Sequence, residues 1–430
     1  MTCVSGKSAS IAQSLGSGVF SCRSCGVELT RQVVDFGAMP VANALIRRED
    51  FSKGELFFPL HVMACEACSL VQLVDCPSAE VHFHNEYAYF SSYSKSWLEH
   101  CEVYVADVIA RFGLEAGDSV VEVGSNDGYM LNIFKNNGFD VLGIEPSGNV
   151  AQTAIEKGIP TDICFFGEAV GKALAAKGVR PRFVAANNVM AHVPDLNDFV
   201  RGFLHLLTGD AVLTVEVHYF RDLFEKNQFD AFYHEHYCYY TIRAADLLFR
   251  RHGLRLFDVE RLPTHGGSLR FFVCPGEAGH PTSERLLRCL EEENAFFSDA
   301  IEGIGLFRGR ISAICDDLRR FFSQASGEGK KVAGFGAPAK ATTLLTLASV
   351  TSELLPFTVD SNPFKQGRYL PGVHIPILAP QALLDDRPDY VIILPWNLKD
   401  EIVAQLGAVT EWGGSFVSFI PKMEIIGPRH

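Results

Sequence analysis

The run Tyr233-His234-Glu235-His236 packs a phenol, a carboxylate and two imidazoles into four consecutive residues, with aromatic side chains on both sides between Gln228 and Tyr237. An imidazole titrates near neutral pH, so it takes a proton at low cost, and a neighbouring phenol or second imidazole can hold the anion left behind. The cluster therefore reads as a proton-abstraction site. A polar loop with locally bonded histidines is the other reading of such a run taken alone. Position favours chemistry: a cofactor-binding signature precedes the cluster and a phosphate-loop-like segment follows it.

The elements that must position these residues begin with a β-α-β unit. Ser119 to Val123 reads as a buried parallel strand, Gly124-Ser125-Asn126-Asp127-Gly128 as a tight turn, Tyr129 to Asn137 as a helix, and Gly138 to Glu145 as a second strand ending in a carboxylate. Glu145 follows Gly124 by 21 residues, the distance at which a second-strand acid reaches a ribose diol. The compact Gly-x-Gly-x-x-Gly of dinucleotide sites is not there, and the polar turn suits an amino-acid-like tail. Glu122, Gly124, Ser125, Asn126, Asp127, Gly128 and Glu145 are the candidate cofactor ligands. Phe183 to Asn188 is a further strand, ending in two amides and followed by His192. Strand carboxyl ends line the crevice of such sheets, so Asn187, Asn188 and His192 fall beside the cofactor. Ala211 to Tyr219 leads into the cluster. Gly253 to Leu262 and Ser268 to Cys274 form a candidate closing antiparallel pair, and His265 in their turn either faces the site or belongs only to a hairpin.

Residues 283–325 carry helical periodicity and read as one or two connecting helices. A second α/β unit follows: Lys331 to Gly336 as strand and turn, then Ala337-Pro338-Ala339-Lys340 opening a helix. A helix N-terminus after a glycine turn is a phosphate site in the simplest terms, and Lys340 adds a point charge. Gly334-x-Gly336 alone is a weak dinucleotide signal. Phe357 to Asp360 and Tyr390 to Leu394 read as further parallel strands.

At the other end, Cys22-x-x-Cys25 and Cys65-x-x-Cys68 form two knuckles with 40 positions from Cys25 to Cys65. Two such pairs complete a tetrahedral thiolate site, which zinc favours. Four buried thiols or a redox pair are the competing readings. The strands between the knuckles, Val33 to Phe36 and Leu56 to Val62, with Leu70 to Val74 beyond them, make a sheet too small to bury a good core unaided. Nothing nearby suggests an open coordination position, so the expected metal is structural. Residues 81–112 are aromatic-rich, then helical. Tyr87 and Tyr93 are candidates for a sugar or base pocket, although packing between domains is favoured for so dense an aromatic stretch.

Composition bounds the rest. The chain has 430 residues, 47% hydrophobic and 21% charged, with a net charge of −13, which fits two or three ordinary globular domains and argues against a nucleic-acid partner. No apolar run reaches membrane-spanning length. Met1 to Gly18 lacks the apolar core of a signal peptide or anchor and reads as a disordered tail. The protein is expected in the cytoplasm, where the twelve cysteines call for something other than disulfides.

Taken together, the knuckles, Glu-Val-Gly-Ser-Asn-Asp-Gly (122–128), Asn-Asn-Val-Met-Ala-His-Val-Pro-Asp (187–195), Tyr-His-Glu-His (233–236), Gly-Ala-Pro-Ala-Lys (336–340), the 360–372 segment containing Arg368, and Leu-Pro-Trp-Asn (394–397) resemble the sugar C-methyltransferases of deoxysugar biosynthesis, in particular those acting at C-3′ of nucleotide-linked 4-keto-deoxysugars. The resemblance spans roughly residues 20–425. After the tail (1–19), and with the connecting helices (283–325) between the last two domains, it implies an α/β protein with a small zinc-binding β domain (20–80), a central class I Rossmann-like methyltransferase domain binding S-adenosylmethionine (81–282) and a smaller C-terminal Rossmann-like domain that helps bind the nucleotide sugar (326–430). By resemblance His236 is the base, Tyr233, Glu235, Asn188 and His192 line the sugar pocket, and Ala337 to Lys340 hold the pyrophosphate. Tyr87, Tyr93, His265 and Arg368 complete the candidate substrate residues. Pro338 departs from the small residue expected there and removes an amide donor. Expected partners are a dTDP- or GDP-linked 4-keto-deoxysugar, no nucleic acid and no membrane, with the protein a monomer or dimer. A sugar O-methyltransferase, an NAD-dependent nucleotide-sugar oxidoreductase and a silent scaffold are the alternatives. Intact Glu122, Gly124, Gly128, Glu145 and His236 speak against the scaffold.

Overall fold

The computed structural model describes residues 19–74, 76–82 and 90–427. The expected N-terminal tail, apart from its last residue, the exposed Val19, lies outside them, as does Tyr87.

Strands β1 (Arg31–Pro40), β2 (Phe57–Ala64) and β3 (Val71–Val74) form an antiparallel meander. The expected strands are thus present, but the small sheet does not stand alone. A short strand from far along the chain, Cys238–Tyr239, joins its edge, with Val71 opposite Tyr239 and Gln72 opposite Cys238. Its apolar face, including Val33, Leu60, Val62 and Leu73, shares one core with Phe229, Phe232, Phe307, Ile311 and Leu344. Full burial of a side chain the size of Phe232 contributes about 2–3 kcal/mol, which a sheet of this size could not obtain without its neighbours.

The central sheet contains β4 (Ser119–Val123), β5 (Asp140–Ile144), β6 (Thr161–Asp162), β7 (Phe183–Asn187) and β8 (Val212–His218), together with β10 (Leu254–Leu262) and β11 (Ser268–Pro275); Cys238–Tyr239 is β9. The order is β10-β11-β8-β7-β4-β5-β6. Strands β4 to β8 are parallel, and β11 runs antiparallel to both neighbours. Val120, Val121 and Val123 are buried, as both-sided coverage of a parallel sheet requires. The order reverses between β4 and β7, so the ligand crevice opens at their carboxyl ends.

The third sheet has β12 (Val332–Phe335), β13 (Thr358–Val359), β14 (Ile377–Leu378), β15 (Tyr390–Ile393), β16 (Ser415–Ser418) and β17 (Glu424–Ile426) in the order β14-β13-β12-β15-β16-β17. All neighbours are parallel except β17, and its reversal point lies between β12 and β15. Residues 284–327 form two helices, Glu284–Glu302 and Ile304–Gly327. They do more than connect. Phe307, Ile311, Ile314, Leu318 and Phe322 form a buried stripe on the second, and Glu293 of the first accepts the amides of Ile242 and Arg243, capping another helix. Among the described residues no helix is long and apolar enough to cross a membrane.

Candidate active site

The four knuckle sulfurs lie within 4.8 Å of one another, with Cys22–Cys68 at 3.6 Å and Cys25–Cys65 at 3.5 Å. A tetrahedral zinc with bonds of about 2.3 Å requires sulfur separations of about 3.8 Å, whereas a disulfide requires about 2.05 Å. The donor set and spacing fit zinc, and Cys22, Cys65 and Cys68 are buried.

The turn after β4 is built as the sequence suggests. Gly124 has φ +72°, and a Cβ there would lie 2.9 Å from the Cβ of Val189; this contact brings the turn against the segment after β7. Asn126 also has positive φ. Its amide donates to Glu145 Oε2 at 3.0 Å, and Ser147 N donates to Glu145 Oε1 at 2.8 Å. Glu145, one residue beyond β5, is therefore fixed by the turn it was expected to accompany. Ser91 N donates to Asn126 Oδ1, while Ser92 Oγ and Lys157 Nζ donate to Asp127. Asp127 Oδ1, Ser125 Oγ and Asn187 Oδ1 are buried without a hydrogen-bond partner. Burial pushes the Glu122 carboxyl well up, and the Glu145 and Asp127 charges add to that. Buried orphaned polar atoms around one turn fit a polar, amino-acid-like ligand end.

The Tyr233–His236 segment is a turn closed by His236 N donating to Tyr233 O at 2.9 Å. Had it been extended, His234 and His236 would share a face; instead the side chains diverge. His234 Nε2 donates to the carbonyls of Phe58 and Pro59 in β2. Glu235 Oε2 accepts from Asn43 Nδ2 at 2.9 Å, and burial raises its carboxyl to about 7 despite Asn43 and Lys365. His236 Nδ1 faces the Ala231 carbonyl at 3.3 Å, and Nε2 is 2.8 Å from the Tyr233 hydroxyl. The carbonyl demands Nδ1–H, so Nε2 carries the lone pair and accepts from the phenol. Burial and the neighbouring imidazoles of His192 and His218 hold His236 well below its usual pKa. His192 donates Nδ1–H to the Glu235 carbonyl at 2.8 Å, and its ring lies 4.8 Å from that of His236. Burial lowers its pKa to about 4. Asn188, at positive φ, has Oδ1 buried and unpartnered.

The C-terminal unit closes the third side. Trp396 Nε1 donates to Asp230 Oδ2 at 2.7 Å, and Thr343 Oγ1 donates to Phe232 O at 2.9 Å. Lys340 Nζ reaches across the reversal point to Asn397 Oδ1 at 2.6 Å, 4.2 Å from the Trp396 ring centre. Burial lowers Lys340 to about 8 against the pull of Asp230. Ala337 N is already used: it donates to Asp360 Oδ2 at 2.8 Å, while Asp360 Oδ1 accepts from Asn362 N. Pro338 sits just before the Ala339–Leu347 helix. Lys365 Nζ donates to Ala337 O at 2.9 Å and brings a second cation to this turn.

The remaining candidates are scattered. Tyr93 is 55% exposed, its ring tilted against that of Phe90 at 5.7 Å, and Arg368 is half-buried on the loop before β14. Phe90 stacks on Phe364 at 5.1 Å, so this aromatic stretch does pack two units together. His265 faces inward, its ring 5.3 Å from that of His218. Sequence reasoning passed over His218, Asp230, Asn43 and Trp396 as site residues. His218 at a strand's carboxyl end beside the cluster was the available signal; the other three depend on long-range contacts.

A reversed-order sheet with its polar turn after β4, an acid after β5 and a closing antiparallel strand defines a class I S-adenosylmethionine-dependent methyltransferase. Residues 97–259 match a methyltransferase-domain family model, 22–83 a zinc binding domain and 263–421 a C-methyltransferase C-terminal domain. The C-methyltransferase NovU of Streptomyces niveus is 35% identical over 405 residues, covering 94% of this chain and 96% of the relative. The chain belongs to this C-methyltransferase family: it is an S-adenosylmethionine-dependent enzyme with a zinc-binding domain. Solved structures resemble it more distantly. The magnesium protoporphyrin IX methyltransferase ChlM of Synechocystis aligns at 16% identity and TM-score 0.30 over 41% of this chain and 78% of that one. A methyltransferase of Clostridium acetobutylicum aligns at 10% and 0.34 over 42% and 92%.

Proposed function

We propose that the enzyme methylates C-3′ of a nucleotide-linked 4-keto-deoxysugar by His236-mediated proton abstraction. The ketone at C-4′ acidifies the C-3′ proton, and loss of that proton gives an enolate whose carbon takes the methyl group. S-Adenosylmethionine, bound by the Gly124–Gly128 turn, Glu122, Glu145 and Asn187, supplies the electrophilic methyl. His236 Nε2 takes the proton. The Tyr233 hydroxyl, which caps Nε2 in the absence of substrate, turns its O–H to the C-4′ oxygen, and His192, whose Nδ1–H is committed to the Glu235 carbonyl, lines the pocket beside it. Glu235 orients a sugar hydroxyl, and Asn188 lies beside it. The C-terminal unit, with Ala339, Lys340, Lys365 and Arg368, holds the nucleotide's phosphates. The observation that carries this reading is the Tyr233–His236 hydrogen bond at 2.8 Å, on a neutral, buried imidazole beside the cofactor crevice. Incubating the enzyme with a panel of 4-keto and 4-hydroxy nucleotide sugars and S-adenosylmethionine tests it. Products gaining one methyl on carbon only from the 4-keto compounds are expected. Methylation of the 4-hydroxy compounds on oxygen would overturn the reading.

Glu145→Ala should weaken S-adenosylmethionine binding by roughly 2–3 kcal/mol, the range for hydrogen bonds to a charged group. It removes the ribose acceptor and also frees the amides of Asn126 and Ser147. Titration calorimetry checks this, and unchanged affinity would exclude Glu145 from the cofactor site.

A further inference from the structure

Carbon methylation releases one proton per turnover. The C–H bond breaks, its electron pair stays on the substrate carbon and becomes the new C–C bond, and the proton must leave the protein. His236 is 3% exposed, so it cannot hand the proton directly to bulk water. His218, the last residue of β8, lies with its ring 5.0 Å from that of His236, and His265 continues the row 5.3 Å further on. Both are partly exposed. His265 then packs against Trp97, which stacks on the partly exposed His100. Proton transfer between neighbours in such a row takes a direct hydrogen bond or one intervening water.

We propose that His218, with His265 behind it, is a positioning and relay residue that carries the proton from His236 to solvent; this rests on the reading of His236 as the base. The groups around the row keep its imidazoles neutral. The groups facing His218 are His236, His192, His265, Lys340 from the Ala339–Leu347 helix, and Glu216 on its own strand. Glu216 is the one anion among them. Burial pushes its carboxyl up, but His100 and Arg270 outweigh that and hold it at about 2. Arg270 Nη2 donates to Glu216 Oε2 at 2.9 Å and Thr264 Oγ1 to Oε1 at 2.8 Å. Glu216 raises the proton affinity of His265 and His218, but burial outweighs it and holds His265 at about 4 and His218, with His265, Lys340 and His192 adding to the effect, well below its usual pKa, as burial and the neighbouring imidazoles do at His236. No member of the row holds a proton at neutral pH, so one taken by His236 is passed along the row rather than stored on it. His265 Nδ1 is buried without a hydrogen-bond partner, a nitrogen available to pass it on.

The test measures turnover of the full chain with a 4-keto nucleotide sugar and S-adenosylmethionine, at rising imidazole concentration and constant ionic strength. Wild-type kcat should not respond to imidazole. His218→Ala should lower kcat roughly tenfold, less than loss of a positioned base, leave kcat/KM nearly unchanged, and recover most of the loss as imidazole rises. A loss that imidazole cannot restore, with kcat/KM falling in parallel, means a structural role and overturns the relay; so does an unchanged kcat. His265→Asn, which tolerates the left-handed backbone at φ +56°, gives the same reading at the exposed end if His218→Ala does not fold. His236→Asn run alongside separates the two claims. If it stays active, the base reading has failed; if it is dead while His218→Ala ignores imidazole, the relay alone has failed.

Discussion

His236→Asn is expected to lose deuterium exchange at C-3′ and methylation together, each by on the order of 10²–10⁴-fold. Exchange is read with a 4-keto nucleotide sugar in deuterated water and the demethylated cofactor present, so that enolisation is seen without methyl transfer. Asn keeps the approximate size and a donor for the Ala231 carbonyl but offers no base near neutral pH. Tyr233→Phe should slow both reactions less, because it removes an oxyanion donor and leaves the base in place. His234 is the control: its Nε2 is tied to the β2 carbonyls, so His234→Asn should reduce stability and leave exchange. If His234→Asn abolishes exchange and His236→Asn does not, the base is misassigned. The pH dependence has a definite sign. The pKa of His236 in the folded protein is depressed, so the neutral base stays populated through neutral pH and the acid limb of kcat/KM falls below pH 6.5. The same depression at His192, His218 and His265 means that the unfolded chain binds more protons below about pH 6.5. Stability should therefore decline as the pH drops below that value.

What could be read from the sequence is what is local. The knuckle spacing, the Gly124–Gly128 turn with Glu145 in register, and the hairpin of residues 254–275 are all fixed by residues near one another in the chain, and they fold as read. The arrangement around His236 is not local. The order of side chains in Tyr233–His236 carried no information about direction, because a turn sends His234 towards β2, Glu235 towards Asn43 and His236 towards Tyr233. Asp230 meets Trp396 across 166 positions, and neither residue type signals the other. Lys340 was read as a free charge for phosphate; the structure ties it to Asn397 and the Trp396 ring. The pairing of β9 with β3 shows why the zinc-binding sheet looked too small, since two residues of its edge come from beyond the catalytic cluster.

That pairing makes zinc removal the second large effect. Structural zinc is worth about 10–16 kcal/mol in small zinc-dependent peptides. A loss of even about 4 kcal/mol should lower the melting temperature by roughly 8–16 °C for domains of this size. Elemental analysis should find about one zinc per chain, and Cys65→Ser should reproduce the effect of chelation by removing one thiolate at nearly constant volume. Methylation should fall with the metal although no zinc chemistry is involved. Leu73 N donates to Tyr237 O at 2.9 Å, Tyr237 Oη donates to Pro77 O at 2.7 Å, and the Arg23 guanidinium, inside the first knuckle, lies 5.2 Å from the Tyr237 ring centre. Tyr237 is the residue after His236, and His234 is bonded to β2. Loosening the knuckles therefore frees both flanks of the base, and a misplacement of about 1 Å can lower turnover by about 10²-fold. Metal-free protein with an unchanged melting temperature would show that the knuckles do not hold this sheet; metal-free protein that melts lower yet methylates normally would show that the sheet does not position His236.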